Sequence, residues 1–176
     1  MSLAKSSALA LAALSLASQP AFAQVQRDCV NEAEVSAMVI YAVPHALRGV
    51  RSRCGANLAA DGFLAARGAQ LARRYTAVAD ANWPGALSEL NRMVDTGELK
   101  QQMPIQLDQL PPEVVRPLFN EMIAQKVAAQ VAVADCRRIE RAAEAFAPLE
   151  PEELGRISAV ILSLVGVDKP KICVVN

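Results

Sequence analysis

The only histidine of the chain, His45, lies in the segment YAVPHALRGVRSRC, Tyr41 to Cys54, directly after Pro44 and upstream of Arg48, Arg51 and Arg53. A lone imidazole can act as a general base or as a metal ligand. As a base it needs a nucleophile and an orienting third group beside it. As a ligand it needs companions from the Cys, His, Asp or Glu side chains. The chain has no GxSxG motif, and its cysteines are expected to be consumed in disulfides. His45 is therefore read as a partly exposed residue at a helix start, and no catalytic or metal-ligating residue is assigned.

Arg48 and Arg51 are three positions apart and share a helix face. Two guanidinium groups so placed can hold a carboxylate or phosphate through forked hydrogen bonds, which makes the pair a candidate anion grip. Arg137, Arg138 and Arg141 pose the same choice between an anion site and a solvated face. The acids fall in pairs, Glu32/Glu34, Glu140/Glu144 and Glu152/Glu153. Carboxylate hydrolase chemistry needs two acids facing each other across a cleft, whereas these spacings put them on helix surfaces and helix starts. Trp83, in DANWPGAL, is a possible partner anchor if exposed and a lock between helices if buried. Nothing resembles a phosphate loop, a dinucleotide fingerprint, a haem motif or a zincin motif, so no cofactor is assigned.

The four cysteines, Cys29, Cys54, Cys136 and Cys173, read with the N-terminus. Lys5 precedes an apolar run from Ala8 to Ala17, and Ala21-Phe22-Ala23 supplies a small-x-small cleavage pattern. That is the form of a secretory signal peptide over residues 1–23, cleaved after Ala23. The run is too short to span a bilayer, which takes about 20 residues. An even cysteine count in an exported chain implies two disulfides in an oxidising compartment, periplasmic or secreted. Three connectivities are possible. A continuous helix from Asn31 to Arg53 would hold Cys29 and Cys54 roughly 35 Å apart at 1.5 Å per residue, far beyond disulfide reach. Only a sharp reversal at Pro44 would permit that pair. Otherwise Cys29 and Cys54 each pair with Cys136 or Cys173, which leaves two arrangements, and of these Cys29–Cys173 with Cys54–Cys136 is the expectation.

The mature chain, residues 24–176, has the size of one domain and enough length to bury a core. Without Lys5 it carries 17 basic against 18 acidic groups, a balance that provides no bulk attraction to nucleic acid. Its patterning is helical throughout. Asn31 and Glu34 form a capping-box pattern that starts a helix near Glu32. Pro44 is expected to bend or restart it, and Gly55 to stop it. Asp61 is expected to cap a helix that breaks at Asn82-Trp83-Pro84, where Pro84 opens a short helix to about Val94. Leu99 to Leu110 reads as a loop.

Pro111-Pro112 opens a long helix with Val115, Leu118, Phe119, Met122, Ile123, Val127 and Val131 inward and Pro117 bending its start. Asp135 caps the next, with Ile139, Ala142, Ala143 and Phe146 as its stripe. Pro151 begins the last, which is apolar nearly all round from Ile157 to Val165 and is expected to be the buried central helix. The predicted architecture is all-α: a single compact domain of about six helices, stapled by disulfides. The functional expectation is a non-enzymatic exported module that binds an envelope protein, a peptide or a small apolar ligand, without stable membrane insertion of the mature chain. The alternatives are a hydrolase assembled from scattered carboxylates and arginines, and a periplasmic inhibitor of the immunity type. A binding module should show an exposed apolar patch or an apolar pocket.

Overall fold

In the computed structural model the described residues are 29–96, 110–166 and 172–173, so the segment 1–23 read as a signal peptide and most of the stretch Leu99–Leu110 read as a loop lie outside them. Six α-helices are described: α1 Glu32–Cys54, α2 Phe63–Ala66, α3 Gly68–Thr96, α4 Pro112–Gln130, α5 Cys136–Phe146 and α6 Pro151–Leu164. Short 3-10 turns, Gly55–Asn57 and Val133–Asp135, follow α1 and precede α5. Among the described residues the only β pairing is a single parallel bridge between Val30 and Ile172.

The start of α1 follows the capping-box pattern. The Glu34 amide donates to Asn31 Oδ1 at 2.8 Å and the Asn31 amide donates to Glu34 Oε2 at 3.1 Å, so two N-terminal donors that lack helical partners are satisfied. Acidic Glu32 and Glu34 in the first turn and basic Arg51 and Arg53 in the last complement the helix dipole. Pro44 does not restart the helix: α1 runs unbroken through it for 23 residues. Gly55 does end α1 as its C-cap, in a right-handed helical conformation that leads into the 3-10 turn.

Proline inside a helix costs about 3 kcal/mol, and the packing of α1 outweighs it. α1 is the central element, in contact with α3, α4 and α6. Its buried residues, among them Val35, Ile40, Tyr41, Pro44, Leu47, Val50 and Cys54, point to different neighbours. Ile40, Leu47, Val50 and Cys54 join Phe63, Leu64, Leu71, Tyr75 and Cys136 in one cluster. Tyr41 joins Trp83, Ala86, Leu90, Val115 and Phe119 in a second. Val35 joins Val30, Ala159 and Ile172 in a third.

Two glycines permit the closest approaches. A Cβ on Gly49 would collide with the backbone carbonyl of Ala124 on α4, and one on Gly155 of α6 would collide with Ser36 and Ile40 of α1.

The same packing carries α3 through Pro84, so the expected break at Asn82-Trp83-Pro84 is absent and the helix extends for 29 residues. Asp61 caps nothing: Gly62 is the N-cap of α2. The Leu64 amide there donates instead to Glu140 of α5 at 3.0 Å, a cap supplied by tertiary contact. Pro111 and Pro112 open α4 as expected, but Leu118 is 68% and Met122 37% exposed. The buried side of α4 is Val115, Phe119 and Ala124, because α4 presents one narrow stripe to α1. On α5, Ile139 and Ala143 pack against the core, whereas Ala142 and Phe146 are exposed. Asp135 makes no side-chain cap and accepts from Arg138 at 2.9 Å.

The disulfides join Cys29 to Cys173 and Cys54 to Cys136, with Cα separations of 5.0 and 5.5 Å. The unbroken α1 holds Cys29 and Cys54 at its opposite ends, so those two cannot meet. The Cys173 amide donates to the Val30 carbonyl at 2.8 Å beside the first bridge. Two disulfides indicate an oxidising, exported location. Among the described residues no helix is long and apolar enough to cross a membrane.

Candidate functional site

The largest departure from the expected arrangement is α6. It begins as anticipated, with Pro151 in the first turn and the Glu150 amide donating to Glu153 Oε2 at 3.0 Å. It is not the buried central helix. Only Pro151, Gly155 and Ala159 are buried, a stripe at four-residue spacing that is small enough to seat α6 closely on α1. Leu154 and Leu162 flank this stripe and pack partly against the core, and the other bulky side chains point away from it. Ile157 is 41%, Val160 45%, Ile161 50%, Leu164 80% and Val165 66% exposed. Together they present roughly 500 Å² of apolar surface, near the top of the ~300–600 Å² range for the largest patch on a monomer.

Leu149, Glu153, Arg156, Ile157, Val160 and Ile161 line an open groove of about 430 Å³ along this face. Its polar walls differ in state. Glu153 is engaged at the N-terminus of its own helix. Arg156 is exposed and makes no ion pair among the described residues.

The residues singled out in the sequence lie elsewhere and are held by separate partners. Arg48 donates to the Asn120 carbonyl at 2.9 Å and pairs with Glu121 at 3.0 Å, which ties α1 to α4. Arg51 is exposed, with no ion pair among the described residues, so of the two arginines only Arg48 is engaged by a carboxylate. Trp83 is 5% exposed and faces inward. Its ring lies 5.1 Å from Tyr41 and 6.3 Å from Phe119, with the Arg116 guanidinium 4.9 Å over it. This is the lock between helices, and the ring offers no exposed anchor. Arg116 in turn pairs with Asp80.

His45 is half-buried against the Tyr41 ring at 5.4 Å. Burial, and then the nearby Arg48 charge, lower its pKa, so the imidazole is neutral at pH 7. The acid pairs serve structure. Glu140 caps α2, Glu144 pairs with Arg67 at 3.1 Å, and Glu34 closes the capping box. A second groove, between Phe63, Arg67, Arg74 and Glu144, has its charges already paired or bonded to the Ala147 and Leu149 carbonyls. Arg138 is paired with Asp135, while Arg137 and Arg141 are exposed.

One residue carried no signal in the sequence. Glu89 of α3 is 1% exposed, and neither of its carboxylate oxygens has a hydrogen-bond partner. Arg92 Nε stands 3.4 Å away, and Arg92 also reaches Glu34 at 3.6 Å and the Cys29 carbonyl at 2.7 Å. Desolvation raises the Glu89 pKa to about 7, against the lowering effect of Arg92. In sequence, Glu89 and Arg92 are an ordinary i,i+3 surface pair, and nothing local marks the acid as buried.

Among the described residues no group of three His, Cys, Asp or Glu side chains could hold a metal ion, and no cysteine is free. Compared with protein-family models, with curated proteins and with solved structures, the chain matches none.

Proposed function

We propose that this protein is an exported, non-enzymatic binding module that engages another envelope protein or a peptide through the outer face of α6. Cleavage after Ala23 releases it into the periplasm or medium. The observation that carries the reading is the line of large apolar side chains on α6, exposed while the opposite side of the same helix is seated on α1. Burying roughly 500 Å² of such surface at about 25 cal/mol per Å² provides a gross driving force of order 10 kcal/mol before the costs of association. An open groove suits a macromolecular partner better than a small ligand, which needs a concave site to bury most of its own surface.

A photocrosslinking residue placed at Val160 or Leu164 and expressed in the native envelope tests this. A discrete adduct at both positions, absent when the same residue replaces exposed Thr76 on α3, is the expected result. Equal adducts at Thr76, or none on α6, count against the reading.

A further inference from the structure

The α6 face has a pattern that selects among partners. Ile157, Val160, Ile161 and Leu164 follow the i, i+3, i+4, i+7 spacing with which one helix covers another. In heptad terms Ile157 and Leu164 are a positions, Val160 is d, and Arg156 is the flanking g position, where charges face charges of the covering helix. Arg156 is exposed with no ion pair among the described residues, while Glu153 is engaged at the helix cap. We propose that the occupant of this face is a single amphipathic helix of another protein, with an apolar stripe for Ile157–Leu164 and a carboxylate for Arg156. This rests on the α6 face being the working surface.

A second copy of the chain fits less well. Two-fold antiparallel pairing centred on the stripe sets Ile157 against Leu164 and Val160 against Ile161, and leaves Arg156 beside Val165 of the second copy. Parallel pairing sets it beside Ile161. Among the described residues neither places a carboxylate beside Arg156. The face is also smaller than the ~800 Å² per partner of a standard protein–protein interface, whereas one helix can cover it.

The test uses the disulfide-bonded mature protein and two fluorescent three-heptad peptides with leucine at a and d. One carries glutamate at e and g, the other lysine, and like charges keep each peptide monomeric. The chain itself is near neutral, so bulk charge favours neither peptide. By anisotropy the glutamate peptide binds at least 5-fold more tightly. Arg156→Glu reverses that order, and Leu164→Asp weakens both peptides by at least 10-fold without lowering the melting temperature.

Equal binding of both peptides, unmoved by Arg156→Glu but lost in Leu164→Asp, overturns the acidic partner and leaves the face standing. Binding untouched by Leu164→Asp, or no binding of either peptide, overturns the helix inference, and the first of these removes the face as well. Saturable dodecanoate binding without peptide binding assigns the groove to an acyl carboxylate instead. A dimer in sedimentation that Leu164→Asp dissolves assigns it to a second copy.

Discussion

Glu89 shows how one buried carboxyl sets the response of this fold to pH. Its folded pKa is about 7, against the ordinary value near 4.5. Between those values the folded state holds a proton that the unfolded state has released. The Glu89 contribution to stability is therefore full below about pH 4.5, falls as pH rises towards 7, and is flat above it, whereas the lowered pKa of His45 acts in the opposite direction on acidification. The Glu89 shift corresponds to a loss on the order of 3 kcal/mol. Glu89→Gln, which keeps the shape and removes the charge, is expected to flatten the pH dependence and to raise stability at pH 8. Urea denaturation at pH 5 and pH 8 measures both, and an unchanged pH slope in the variant would exclude Glu89 as the source. The burial of Glu89 was not legible in the sequence, because it depends on the packing of α3 against α1 and the segment before it, where Arg92 reaches Glu34 and the Cys29 carbonyl. The capping role of Asn31 was legible, because it is settled within four residues.

At the scale of elements, local propensity placed most helix starts and misplaced the interruptions. Pro44 and Pro84 both sit inside continuous helices. Pro84 is exposed, so Pro84→Ala restores a backbone donor to α3 without opening a cavity. The expected gain is about 1–3 kcal/mol, read as a melting temperature higher by several degrees. A drop would mean that α3 needs the proline.

Gly155 tests the opposite case. Its missing Cβ is where Ser36 and Ile40 come in. Gly155→Val is expected to destabilise by about 1–3 kcal/mol or more through overpacking, while Leu164→Ser, on the outer face of the same helix, stays within about 0.5 kcal/mol. Thermal melts of the two variants compare the sides of α6 directly. Equal losses would contradict its seating on α1.

Over the whole molecule the two disulfides do different work. Cys54 and Cys136 are 0% and 1% exposed inside the largest cluster, whereas Cys29 and Cys173 are only partly buried and hold Ile172 against Val30. Thiolate attack needs access. A mild dithiol reductant is therefore expected to open Cys29–Cys173 in the folded protein and Cys54–Cys136 only on unfolding. Alkylation and peptide mapping over a reductant series reads the order, and simultaneous opening would refute it.

The all-helical class, the capped start of α1 and the opening prolines of α4 and α6 were readable from the chain alone, since these follow from periodicity and from a few adjacent residues. A continuous α1 excludes Cys29–Cys54, because a straight helix separates the two by its own length, but two connectivities remain, and the fold selects Cys29–Cys173 with Cys54–Cys136. Which helix is central, and which side of α6 meets solvent, came from packing between helices. A helix that is apolar nearly all round has no preferred face of its own. The choice falls to the small stripe Pro151, Gly155 and Ala159 because it fits α1, and fit is a property of two surfaces that neither segment carries alone.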